Sequence, residues 1–129
     1  MTTDRAGEVR SFWESIEARD WDAARSLLDD DCVTEWPHSR ERFDGGDAFI
    51  EVNRAYPEGW RITVLSVVAD GDVAASEVRV DQEPDVFFAA SFFEFGPNGK
   101  VVRLHELWVT SPYEEPAAWR TPWSRPLEI

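Results

Sequence analysis

Between Trp60 and Val109 the chain is cut twice by turn signals, Ala69-Asp70-Gly71-Asp72 and Gly96-Pro97-Asn98-Gly99-Lys100, and the stretches they leave alternate or run apolar as strands do. Trp60 to Val68 and Val73 to Asp81 read as one antiparallel hairpin, Phe87 to Phe95 and Val101 to Val109 as a second. Four strands in a row need a partner layer for their apolar face. The residues before them supply one. From Glu8 to Ala18, Val9, Phe12, Trp13 and Ile16 recur at helical spacing; Asp20 is placed to cap a second helix with a Trp21, Ala24, Leu27 and Leu28 stripe. A third helix starts near Asp47, carries Phe49, Ile50, Asn53 and Tyr56 on one side, and stops at Pro57 and Gly59. Cys32 to Trp36 is a short strand ended by Pro37, and His38 to Gly46 is a polar loop. The pattern predicts an α+β fold in which a curved antiparallel sheet wraps around three N-terminal helices.

Length allows one domain: 129 residues, 43% of them hydrophobic, make a single compact unit with a modest core. We place that domain at residues 1–109, followed by an arm, 110–129, whose Pro112, Pro116, Pro122 and Pro126 alternate with Tyr113, Trp119 and Trp123. The arm is expected to pack its aromatics on the domain, because disordered tails rarely spend two Trp.

A formal net charge of −13 repels nucleic-acid phosphates and anionic membranes, so neither is an expected partner, and a neutral or cationic organic molecule suits the chain better than a nucleotide. One cysteine, Cys32, excludes an intrachain disulfide, and two histidines on different elements make no metal pair, so no metal or other cofactor is expected. The triplet Asp29-Asp30-Asp31 reads as a solvated turn rather than a metal loop. MTTDRAGEVR carries charge where a signal peptide needs an apolar stretch, and no run reaches membrane-span length; a soluble, cytoplasmic protein is expected.

Glu106 is the residue with the sharpest chemical implication. In VVRLHELWV it shares a strand face with Val102, Leu104 and Trp108, and a carboxylate among such neighbours is expensive unless it is paired or protonated. The earlier strand sets Glu77, Arg79 and Asp81 on one side. If they converge with Glu35 and Glu106, four carboxylates share one guanidinium, and at least one is pushed toward neutrality, as general acid/base work requires. The alternative pairs Glu77 with Arg79 on a solvated face and starts a loop at Asp81. His105 lies opposite Glu106 and belongs to a subunit contact or solvent. Seven Trp and eight Phe favour either an aromatic-lined cavity or a broad subunit contact; Trp36, Tyr56, Trp60, Phe88, Phe92 and Trp108, with Glu35 and Asn53, are the candidate cavity residues.

Taken together, FWESIEARDWDAARSLLDDDCVTEWP, RFDGGDAFIEVNRAYPEGW and the terminal GKVVRLHELWV resemble the nuclear transport factor 2-like superfamily, and within it the SnoaL-like group of cone-shaped proteins. The resemblance spans Glu8 to Val109. It implies a pocket between helices and sheet, pairing of two copies through the outer sheet face, and chemistries as different as isomerisation, cyclisation, dehydration and epoxide hydrolysis, so fold does not fix function. Arg79 and Asp81 also resemble the Arg-x-Asp of limonene epoxide hydrolase, with Glu106 near its last carboxylate; Val33 and Glu35 depart from its tyrosine and asparagine.

The reading that follows is a homodimeric protein binding an apolar or moderately polar organic molecule, with Glu106, Arg79, Asp81 and Glu77 as candidates for acid/base catalysis without a cofactor. The alternative is a non-catalytic binding or assembly module.

Overall fold

The computed structural model describes residues 3–129. Helix α1 (Arg5–Glu17) starts at Asp4, whose side chain accepts from the Gly7 amide, and it buries Val9, Phe12, Trp13 and Ile16, the stripe its spacing predicts. Asp20 caps α2 (Trp21–Leu27) in the same way through the Ala23 amide. Between them Arg19 takes φ of 61° and turns the chain.

Strand β1 (Leu28–Trp36) follows α2 directly, so the sheet begins four residues before the expected Cys32. The aspartate triplet is therefore strand, not turn. Two of its three side chains are engaged: Asp30 accepts from Arg25 at 2.6 Å and Asp29 from Asn98 at 2.8 Å. The segment read as a polar loop holds a short edge strand, β2 (Glu41–Asp44), paired antiparallel with β1. Helix α3 (Gly46–Ala55) then crosses β1 so closely that a Cβ on Gly46 would lie 2.8 Å from the Asp29 carbonyl oxygen.

The remaining strands are the two predicted hairpins, β3 (Arg61–Asp70) with β4 (Val73–Gln82) and β5 (Asp85–Phe95) with β6 (Val101–Val109). They complete a six-stranded sheet of order β2-β1-β6-β5-β4-β3, antiparallel except where β1 lies parallel to β6. Helix α1 packs on β3 and β4 while α3 packs on β1 and β2, so the sheet curls around the helices and stays open. The core lies on that inner face, where Phe12, Trp13, Phe49 and Phe93 meet in edge and stacked contacts.

Strand parity settles which side chains face the helices. On β4 the buried residues are Ala74, Ser76, Val78 and Val80; on β5, Ala89, Ser91, Phe93 and Phe95; on β6, Leu104 and Glu106. A register shift between Glu94 and Phe95 leaves Val101 buried and Val102 exposed, so Val102 does not share the Glu106 face as strict alternation predicts.

The C-terminal arm departs from its expected packing. Tyr113 ties it down by donating to the Val86 carbonyl, but Trp119 and Trp123, in a short 3-10 helix (Ala118–Trp123), are 73% and 83% exposed. Four prolines within these twenty residues remove amide donors from the segment. Among the described residues no helix is long and apolar enough to cross a membrane.

Candidate functional site: an aromatic cavity beside a buried carboxyl

The helices and the inner sheet face leave a cavity of about 240 Å³ at one end of the cone. Of the thirteen residues lining it six are aromatic: Trp13 from α1, Trp36 from β1, Tyr56 and Trp60 from the segment after α3, Phe87 from β5 and Trp108 from β6. Ile62 and Val80 complete the apolar wall; His38, Ser39, Glu41, Asn53 and Thr110 supply the polar groups. His38, Ser39 and Glu41 are exposed, so that polarity is gathered at the mouth.

Each wall residue is held by local chemistry. Trp13 donates its indole N–H to Ser76 Oγ at 2.9 Å. Trp36 makes an edge contact with Phe43 and another with Trp108. One face of Trp60 is covered by the Arg19 guanidinium, 3.3 Å from the ring centroid, and Arg19 also donates to the Trp60 carbonyl. Asn53 donates to the Phe49 carbonyl at 2.8 Å, leaving its amide oxygen as the free group. The Nε1 atoms of Trp60 and Trp108 are buried without a hydrogen-bond partner and do not form part of the cavity surface.

Glu106 stands behind this wall. Its side chain is 1% exposed, its Oε1 accepts from Trp36 Nε1 at 2.9 Å, and its Oε2 lies 2.6 Å from Ser91 Oγ. Register explains the grouping: Ser76 is paired with Ser91, and Ser91 with Glu106, so three polar inner-face residues form one row across β4, β5 and β6. Burial pushes the Glu106 carboxyl above its ordinary range, against the pull of the Ser91 and Trp36 hydrogen bonds. Among the described carboxylates with a resolved shift it alone is raised. A neutral acid can also donate to Ser91, so the network is satisfied with no buried charge.

The other expected members of the catalytic cluster lie elsewhere. Glu77, Arg79 and Asp81 have the parity of the outer sheet face, with Val73 and Ala75, and do not meet Glu106. Arg79 pairs with Asp81 at 3.0 Å and holds that carboxyl below its usual range, so Asp81 is a fixed counter-ion rather than a poised acid. Glu35 is outer too, and accepts from Arg103 at 2.7 Å and from His105, which keeps it ionised. His105 lies on the face opposite Glu106, as its strand position predicts. Phe88 lies outside beside Arg79, its strand partner, and Phe92 is outside too; Phe87 is the residue that enters the cavity. The Arg-x-Asp likeness to limonene epoxide hydrolase thus stops at sequence, because parity carries that pair away from the cavity.

Trp36, Asn53, Tyr56, Trp60 and Trp108 are gathered at the cavity, and Trp13, Ile62, Val80, Phe87 and the mouth residues join them. His38 near a pocket mouth was legible from its place after Pro37. Glu41 carried no signal, because nothing marked ERFD as a strand. Cys32 is buried and its thiol is pushed up to about 11, which leaves it inert at neutral pH.

Comparison with known proteins fits this geometry. The model of the SnoaL-like domain matches residues 9–104. The chain belongs to the SnoaL-like family. A candidate ketosteroid isomerase from Kribbella flavida is similar over 96% of this chain and 90% of its own, with 27% identity and a TM-score of 0.85. An NTF-2 like protein of unknown function from Burkholderia xenovorans is similar over 95% and 94%, with 26% identity and a TM-score of 0.74. A limonene-epoxide-hydrolase-like enzyme from M. tuberculosis, 21% identical over 81% of each chain with a TM-score of 0.67, shares the fold. No curated protein matches the sequence. SnoaL-like membership accounts for the curved, open sheet wrapped around helices.

Proposed function

We propose that this SnoaL-like protein binds a small, largely apolar organic molecule in the aromatic cavity. The observation that carries the reading is the distribution of polarity: six aromatic side chains and two aliphatic ones form the wall, while three polar residues at the mouth are exposed. Any reaction on that molecule is acid/base chemistry drawing on Glu106, the one member of the expected cluster on the inner face, whose carboxyl is hydrogen-bonded to the cavity residue Trp36. Isomerisation, cyclisation, dehydration and addition of water all fall within that chemistry. A thermal-shift screen of terpenoid, steroid and polyketide-like compounds tests the binding. A ligand near 100 times its Kd should raise Tm by roughly 5–10 °C. Conversion of such a ligand should then be lost in Glu106→Gln while binding persists. A diverse set of apolar compounds that all leave Tm unmoved would sink the proposal.

We also infer that two copies pair through the outer sheet face. Phe92, Leu107 and Val109 are 43%, 44% and 55% exposed there, with Val73 beside them, and an apolar patch of that kind on a sheet needs cover. A two-fold contact presents the same patch from both copies. Sedimentation should give a dimer for the native chain and a monomer for Leu107→Glu; a native monomer at micromolar concentration contradicts the pairing.

A further inference from the structure

The mouth of the cavity has a sign. None of the thirteen lining residues is Lys or Arg, and Glu41 is the one carboxylate among them. Glu41 forms no ion pair among the described residues, whereas its neighbour Arg42 is engaged by Asp44 at 2.8 Å and neither Arg40 nor Arg42 lines the cavity. The rest of the chain reinforces the field, with 26 acidic residues against 13 basic.

Glu41 also has a particular companion. In the β1–β2 hairpin it is the direct cross-strand partner of Trp36, and both side chains line the cavity. Directly opposed residues keep their Cβ atoms roughly 5 Å apart. A carboxylate and an indole at that spacing are the two groups that recognise an ammonium ion together, one by charge and hydrogen bonding, the other by the negative face of its ring. Glu106 fixes this indole from behind through the Trp36 N–H bond. Trp60 is a poorer place for a cation, because Arg19 already covers one of its faces.

Resting on the binding reading above, we propose that the ligand is an amphiphilic amine: an apolar ring system that fills the aromatic wall and an ammonium group held at the mouth between Glu41 and Trp36. A carboxylate or phosphate at that end of the ligand meets the Glu41 carboxylate with no Lys or Arg among the lining residues to offset it, and is disfavoured. Glu41 is thus a specificity-determining residue, with no part in holding the apolar portion.

Calorimetric titration with three molecules sharing one skeleton tests this: 1-naphthylmethylamine, 1-naphthylmethanol and 1-naphthoate. At pH 7 the amine should bind about tenfold more tightly than the alcohol, and the carboxylate at least tenfold more weakly than the alcohol. Glu41→Gln should bring amine and alcohol to within about twofold of one another. Because Glu41 is an exposed edge-strand residue, that variant keeps the fold. Equal binding of amine and alcohol by the native protein, or an amine preference that survives in Glu41→Gln, overturns the amine assignment and leaves the cavity reading standing. Failure of all three compounds to bind overturns both.

Discussion

Replacing Glu106 with Ala is expected to lower stability by about 3–5 kcal/mol, whereas Gln at the same position should retain all but about 1 kcal/mol. Alanine removes a fully buried side chain and strands the Trp36 indole N–H and the Ser91 hydroxyl away from water. Glutamine still accepts from Trp36 and can donate to Ser91. Urea denaturation of the three proteins measures the difference. The same pair exposes a pH dependence. With the folded Glu106 raised above 4.5, there is a window starting at that pH in which the folded chain keeps a proton the unfolded chain has lost. The stability owed to Glu106 is therefore complete below pH 4.5 and is lost as pH rises toward the folded value, at about 1.4 kcal/mol per unit. Carboxyls held low, such as Asp81 and Glu35, act in the opposite direction, so the native-minus-Gln difference is the quantity to follow. A pH-independent difference between about 4.5 and 7 would show that Glu106 is ionised in the fold.

Filling the cavity should abolish binding outright. Val80 is a buried inner-face residue of β4 in the cavity wall, paired across the strands with Ile62. A Trp there occupies a large part of the 240 Å³ that a ligand needs. The added atoms enter existing space, so the expected overpacking penalty is the ordinary 1–3 kcal/mol or less. Loss of affinity should exceed a hundredfold for any naphthyl compound, with cooperative unfolding preserved. Retained affinity would place the ligand elsewhere on the molecule.

The two hairpins were legible because both signals agreed: alternation set the strands and Gly-containing loops set the turns. The helices were legible from their apolar stripes, and the second also from its Asp20 cap. Facing was harder. In VFFAASFF both faces are apolar, so nothing in the residues says whether Phe87 or Phe88 points inward; only the pairing of β5 with β4 and β6 decides it. On β4 the charged face, Glu77, Arg79 and Asp81, obeys the simple rule that charge faces water, and likeness to an Arg-x-Asp site pulled the reading the other way. Glu106 was recoverable because Leu104 and Trp108 bracket it on one face. Its partners were not, since Ser91 and Trp36 reach it through strand order, and β1 lies beside β6 by a parallel pairing that no local pattern announces. The edge strand holding Glu41 is four residues long without alternation, too short for a periodic signal.

The central claim is that the aromatic cavity is a ligand site, and calorimetric titration of 1-naphthylmethanol at two temperatures tests it most directly. Saturable binding to one site per chain is expected, with a negative heat-capacity change from burial of the apolar ring system, and loss of both in Val80→Trp. Binding that is unaffected by Val80→Trp, or no saturable binding to the native protein, would contradict it.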